Sequence, residues 1–253
     1  MKFIRYQTKD NICYGSWEGD FVREIRGSIF EDYEVTSIKY PLDEIRLLAP
    51  VQPSKVICVG LNYRDHIEEL GDHIPEFPSH FLKPPTAFIG PNDAIQFPRI
   101  GRRVDYEGEL AVVLKDRVKD VPEKEAINHV LGYTCFNDVT ERTWTKLQGQ
   151  LTRAKGFDTF ASIGPCIATG LDPFNLTVRT LLNGKTVQEG NTRNLMFSVP
   201  FLVHFLSQCM TLLPGDIIST GTPKGIGPMA PGDTVEVVIE GIGTLRNQFV
   251  KSF

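Results

Sequence analysis

One stretch constrains this chain more than any other: Val104-Asp105-Tyr106-Glu107-Gly108-Glu109-Leu110-Ala111-Val112-Val113-Leu114. The apolar, β-branched run from Leu110 onward reads as a buried strand, and residues two apart in a strand project from one face. Glu107 and Glu109 therefore point the same way, and the fold has to offset two adjacent carboxylates. A hard divalent cation would do so. Asp138, in Cys135-Phe136-Asn137-Asp138-Val139-Thr140, lies far enough on for a strand to return beside the first. It is the candidate third oxygen ligand, and three carboxylates hold Mg²⁺ while leaving positions for water and substrate. Taken alone, Glu107 and Glu109 read nearly as well as the exposed acidic face of a hairpin, and Asp138 as a turn or capping residue.

At 253 residues the chain can bury a full core, as one large domain or as a large domain with a small companion. Its formal net charge of −4, with no Lys/Arg-rich run, argues against a nucleic-acid partner. The N-terminus, Met1-Lys2-Phe3-Ile4-Arg5-Tyr6-Gln7, lacks the apolar stretch of a signal peptide, and no segment is apolar for long enough to span a bilayer. A cytoplasmic protein is expected. The five cysteines (Cys13, Cys58, Cys135, Cys166, Cys209) are scattered and form no C-x-x-C pair. They read as small buried hydrophobes, not as a zinc site or a disulfide framework.

Residues 1–50 read as a small β-rich unit, with strand-like Ile12-Cys13-Tyr14-Gly15 and Phe21-Val22-Arg23-Glu24-Ile25 around the turn-prone Trp17-Glu18-Gly19-Asp20. Pro41, Pro50 and Pro53 punctuate the exit, and Lys55-Val56-Ile57-Cys58-Val59-Gly60 starts a buried strand. The expected division is 1–50 and 51–253. Further strands are expected at 87–89, 110–114, 217–219, 234–239 and 244–250. Helices are expected at 66–70, 122–130 and 199–209, the last with Ser198 as N-cap and Pro200 in its first turn. Strands and helices do not alternate as a parallel α/β sheet requires. Neither a G-x-G-x-x-G after a strand nor a G-x-x-x-x-G-K-[ST] loop occurs. The expected class is α+β with a mixed, rolled sheet.

Gly60-Leu61-Asn62-Tyr63-Arg64-Asp65-His66-Ile67-Glu68-Glu69-Leu70 follows directly from a buried strand. On a short helix His66 and Glu69 share a face, and a carboxylate holding one imidazole nitrogen leaves the other free as a general base. By itself a His-x-x-Glu is more often a solvated surface pair. The combination is more specific. That segment is followed by Phe81-Leu82-Lys83-Pro84, Asp105-Tyr106-Glu107-Gly108-Glu109-Leu110 and Asn137-Asp138-Val139-Thr140-Glu141-Arg142. Arg153-Ala154-Lys155-Gly156-Phe157-Asp158 and Gly221-Thr222-Pro223-Lys224-Gly225-Ile226-Gly227 come after them. In this order they resemble the fumarylacetoacetate hydrolase family from about residue 53 to the C-terminus, and the first fifty residues look like the small N-terminal domain of many bacterial members.

The resemblance implies a mixed β-roll, a homodimer, and Mg²⁺ or Mn²⁺ on Glu107, Glu109 and Asp138. It implies that His66 and Glu69 are the catalytic dyad, on a lid segment that often orders only with ligand. Lys155 would stand near the metal, Arg142 would line the substrate site, and Thr222 would contact a substrate carboxylate. One position departs from the family pattern. Members commonly carry glutamine three residues after the arginine, an amide that in the hydrolases helps stabilise an oxyanion; here that position is Thr145. The change weakens diketone hydrolysis and leaves other reactions on the same metal site untouched.

Family substrates look like 2-oxo acids, whose carboxylate and carbonyl oxygens chelate a Lewis-acidic ion. The leading expectation is Mg²⁺-dependent C–C bond cleavage through a metal-chelated enolate, as an acylpyruvate hydrolase or an oxaloacetate-type decarboxylase, with Lys155 against the developing oxyanion. The alternative is a 2-hydroxyhepta-2,4-diene-1,7-dioate isomerase or a 5-oxopent-3-ene-1,2,5-tricarboxylate decarboxylase of aromatic catabolism. That branch handles extra carboxylates, for which Arg64 is the candidate partner. A non-catalytic, metal-dependent binding protein is the third reading, against which the His66–Glu69 dyad argues.

Overall fold

Short apolar runs separated by turn residues make the first fifty positions an antiparallel meander. β1 (Lys2–Gln7), β2 (Ile12–Glu18), β3 (Phe21–Gly27) and β4 (Tyr33–Pro41) follow one another, and β5 (Arg46–Leu48) returns along β1. Gly19 takes the positive φ (60°) that the turn between β2 and β3 requires. The computed structural model describes residues 1–9, 11–148 and 151–251.

The chain continues through β6 (Val56–Gly60), α1 (Arg64–Leu70), β7 (Ser79–Lys83), β8 (Phe88–Ile89), β9 (Ala94–Phe97), β10 (Val104–Tyr106) and β11 (Gly108–Leu114). Next come α2 (Glu123–Ala126), β12 (Val130–Asp138), β13 (Thr140–Glu141), α3 (Arg142–Gln148), α4 (Leu151–Lys155) and β14 (Ala161–Ala168). The last elements are β15 (Thr177–Leu182), β16 (Lys185–Asn191), α5 (Val199–Cys209), β17 (Ile217–Ser219), β18 (Gly227–Pro228), β19 (Thr234–Ile239) and β20 (Gly243–Lys251).

Among the described residues the strands form three sheets. The largest runs β4-β3-β2-β1-β14-β12-β11-β17-β6-β7, and the β1–β14 pairing makes the N-terminal meander continuous with the rest. The others run β13-β10-β18 and β16-β15-β19-β20-β9. Most neighbours are antiparallel, but β17–β6, β14–β8 and β20–β9 are parallel, so the sheets are mixed, in keeping with the α+β reading. β11 and β14 are buried at every residue, which explains their apolar and small sequences, broken in β11 by Glu109. β19 alternates instead, with Val235, Val237 and Ile239 in the core. α5 is capped by Ser198, whose hydroxyl accepts from the Phe201 N–H, and it buries Val199, Leu202, Val203 and Leu206. Each such aliphatic side chain contributes about 1.5–3 kcal/mol by leaving water.

Some expectations need correction. The helix expected at 122–130 is the single turn α2 followed by a 3₁₀ turn at Ile127–His129. Helices α3 and α4 were not expected at all. Cys58, Cys135 and Cys166 are buried, but Cys13 is half-buried and Cys209 is exposed in the last turn of α5. Among the described residues no helix is long and apolar enough to cross a membrane.

Candidate metal centre and active site

β10 ends at Tyr106 and β11 begins at Gly108, so Glu107 occupies a break between two strands. Its side chain and that of Glu109 nevertheless line one cavity, as the spacing suggests. Gly108 is required between them: a Cβ there would lie 2.0 Å from Thr180 Oγ1 on β15. β12 returns antiparallel to β11 with Asn137 opposite Gly108. Asn137 Oδ1 accepts from the Glu107 N–H at 3.0 Å, and the Asp138 N–H donates to the Glu107 carbonyl at 2.9 Å. Asp138 thus arrives beside Glu107 at the end of β12. One carboxylate oxygen from each of Glu107, Glu109 and Asp138 lies within 4.8 Å of the others, and all three residues are buried.

Their charges are balanced unevenly. Burial alone would push Glu107 up, but Lys155 and Arg142 outweigh it and hold the carboxyl well below the usual range. Lys155 Nζ donates to Glu107 Oε2 at 2.7 Å and to Asp138 Oδ2 at 2.6 Å. Burial would lower the Lys155 pKa, but Asp138 and Glu107 raise it, so the ammonium stays charged. Arg142 donates from Nε to Asp105 Oδ2 at 3.0 Å and from Nη2 to Glu107 Oε1. Lys83, buried to 1% exposure, donates to the Val139 and Phe160 carbonyls and pairs with Asp138. Glu109 has no such cation among the described residues. Its Oε2 accepts from the Ser219 hydroxyl and from the Gly221 N–H. Burial, Asp138 and Glu107 push it up to about 8, against the pull of the Ser219 bond.

This donor set fits a divalent ion. Three closely spaced carboxylate oxygens are hard ligands of the kind Mg²⁺ and Mn²⁺ take, and a cation beside Glu109 would remove the cost of ionising it. Lys83 and Asp105 escaped the sequence reading of the site. Both stand inside the quoted motifs, and the available signal was a charged residue set into an apolar, strand-forming run.

The His66 half of the His66–Glu69 pair is withdrawn from water, while Glu69 stays exposed. His66 is 5% exposed, its Nδ1 lies 2.9 Å from Glu69 Oε2, and Glu69 Oε1 accepts from the Gly225 N–H at 2.9 Å. The imidazole and the three carboxylates line the same cavity of about 410 Å³, together with Arg142, Thr145, Lys155 and Thr222. Leu61, Leu70, Phe81 and Leu151 form its apolar wall. The Thr222 hydroxyl accepts from Gln188 Nε2 at 2.9 Å and donates to the Gly108 carbonyl at 3.0 Å, so its proton is committed within the protein. The Thr145 hydroxyl likewise donates to the Arg142 carbonyl. Arg64 faces a separate depression with Glu68 and Arg193. It precedes His66 by two residues, which turns it about 200° around the helix.

Fold and cavity together define a mixed β-roll protein with a buried acidic centre suited to a divalent metal and a small oxygen-bearing ligand. The chain belongs to the fumarylacetoacetate hydrolase family. The family model described as fumarylacetoacetate (FAA) hydrolase C-terminal matches residues 55–250, and the one described as Rv2993c-like, N-terminal matches residues 1–50. A protein of Archaeoglobus fulgidus is 54% identical over 237 residues, covering 93% of this chain and 92% of its own. Among solved structures, 5-carboxymethyl-2-hydroxymuconate delta-isomerase from Mycobacterium smegmatis is 45% identical, with a TM-score of 0.94 and full coverage of both chains. The 2-hydroxyhepta-2,4-diene-1,7-dioate isomerase from Mycobacterium marinum is 44% identical, with a TM-score of 0.93, covering 100% of this chain and 99% of that one. The family and the fold read from the sequence are therefore borne out.

Proposed function

We propose that the protein is a Mg²⁺- or Mn²⁺-dependent isomerase that moves a proton along a 2-hydroxy-dienoate or 2-oxo acid; its two mycobacterial neighbours are named isomerases. This reading displaces the C–C bond cleavage that the sequence places first. The observation that carries it is the buried His66 imidazole sharing one cavity with Glu107, Glu109 and Asp138, its Nδ1 held by Glu69. In the same proposal residues 51–253 carry the chemistry and residues 1–50 are a small companion domain.

When bound on Glu107, Glu109 and Asp138, the ion supplies Lewis acidity to the substrate's oxygen-bearing end. Glu69 keeps a proton on His66 Nδ1, which leaves Nε2 to take a proton from one substrate carbon and return it to another. Lys155, held charged by Glu107 and Asp138, faces the oxygen on which negative charge develops. Arg142 spends its guanidinium on Asp105 and Glu107, and so orients a metal ligand. Thr145 brings no amide to the site and turns its own proton onto the Arg142 carbonyl, which favours proton transfer over attack by water at a carbonyl. Leu61, Leu70, Phe81 and Leu151 offer an apolar wall to the substrate's carbon chain.

The test is to strip the metal with a chelator, restore Mg²⁺ or Mn²⁺, and follow ultraviolet absorbance. The panel is 2-hydroxyhepta-2,4-diene-1,7-dioate, oxaloacetate and acetylpyruvate. Metal-dependent conversion of the dienol without cleavage is expected. Metal-dependent cleavage of oxaloacetate or acetylpyruvate, with no dienol conversion, would return the function to C–C bond breaking. Metal binding with no turnover would favour the binding-protein reading.

A further inference from the structure

On the edge away from β12, the peptide groups of Gly108 have no strand neighbour among the described residues, because β17 pairs with β11 only from Ala111 onward. Side chains take that place. Gln188, on β16 of the five-stranded sheet and 1% exposed, accepts at Oε1 from the Gly108 N–H (3.0 Å) and from the Thr180 hydroxyl (2.8 Å). Its Nε2 donates to Thr222 Oγ1 (2.9 Å) and to the Pro223 carbonyl (2.8 Å). Both amide hydrogens and both oxygen lone pairs are thereby used. Thr222 then donates back to the Gly108 carbonyl at 3.0 Å, which closes a ring of hydrogen bonds through Gly108, Gln188 and Thr222.

We infer that Gln188 is a positioning residue of the metal centre: it clamps the Gly108 peptide so that the carboxylates on either side, Glu107 and Glu109, converge. The inference rests on the metal reading of the cavity. The ring ties both polar groups of the residue between the two ligands to the turn that also supplies the Gly221 N–H to Glu109. No other residue type of this size does the same work. Methionine would fill the space but leave the Gly108 N–H and the Pro223 carbonyl buried without partners. Glutamate would accept but not donate, and would add a fourth negative charge near the trio.

The experiment is calorimetric titration of Mn²⁺ into chelator-stripped wild type, Gln188→Met, Thr222→Val and the double variant, with thermal midpoints measured in chelator. Either single change should weaken Mn²⁺ binding by about tenfold or more, and the double change should be no worse than the weaker single, because both break one ring. Val178→Ala, a core truncation on β15, should lower the midpoint and leave Mn²⁺ affinity unchanged. A folded Gln188→Met protein with wild-type affinity, or strictly additive losses, would overturn the inference while leaving the metal reading intact. Should Gln188→Met not fold, unchanged affinity in Thr222→Val overturns it equally. No Mn²⁺ binding by the wild type overturns the metal reading itself, and the inference with it.

Discussion

Replacing Glu109 with glutamine is expected to stabilise the metal-free protein and to abolish its response to metal. Glu109 is 2% exposed, and burial with Asp138 and Glu107 raises its carboxyl from 4.5 to about 8. A carboxyl whose folded value lies above its unfolded one adds stability that is complete below about pH 4.5 and is lost as the pH rises through about 8. At pH 7 about 2.5 pH units of that window have been crossed, a cost of about 3 kcal/mol at about 1.36 kcal/mol per unit. Glu107 adds no slope there, because its folded value lies below the unfolded one and it is ionised in both states. A glutamine oxygen can keep the hydrogen bonds from Ser219 and Gly221 without the charge. Urea unfolding in chelator at pH 5, 6, 7 and 8 should therefore find Glu109→Gln more stable than wild type, by up to about 3 kcal/mol at pH 7. The gap should narrow toward pH 5. Added Mn²⁺ should raise the stability of the wild type alone. A variant less stable than wild type at every pH, with no trend, would refute the claim that no cation among the described residues pairs with this carboxylate.

His66→Asn should cut turnover by about 10²–10⁴-fold, the usual worth of a general acid–base. Its Mn²⁺ affinity, read by calorimetry, should stay close to wild type, since His66 is not among the ligands. Gly108→Ala should cost about 1–3 kcal/mol in thermal or urea unfolding, because its Cβ would lie 2.0 Å from Thr180 Oγ1. Adding Thr180→Ala should recover most of that loss, because the next nearest atoms lie at 3.4 Å.

The carboxylate trio was legible in the sequence because strand periodicity and one antiparallel return bring its members together. Even there Glu107 departs from the rule, standing in a break between β10 and β11 where the Asn137 side chain replaces a ladder partner. The His66–Glu69 pair was legible from helical spacing. Helix α3 was not: Arg142-Thr143-Trp144-Thr145 has no apolar period, and its first turn is closed by Glu141, whose Oε2 accepts from the Trp144 N–H at 3.1 Å. Glutamate is not among the usual N-cap residues, so no start signal was visible. Gln188 lay out of reach for another reason. It meets Gly108 across 80 residues and between two sheets, and no local pattern foretells that contact. Arg64, the candidate partner for an extra carboxylate, lines a depression other than the one that holds His66, because residues two apart on a helix face different ways.

Proton abstraction is the step the proposed isomerase makes whatever its substrate, and deuterium uptake reports it on a substrate to which the base can only return the proton at the same carbon. Proton NMR of 2-oxobutyrate in D₂O, with the chelator-stripped enzyme before and after Mg²⁺ or Mn²⁺, would show it at the carbon beside the 2-oxo group. Deuterium should enter only with metal present, not at all with Glu109→Gln, and at least about 10²-fold more slowly with His66→Asn. A Mn²⁺-saturated wild type that exchanges no faster than Mn²⁺ alone, or a His66→Asn variant that exchanges as fast as wild type, would contradict the assignment of this cavity to proton transfer.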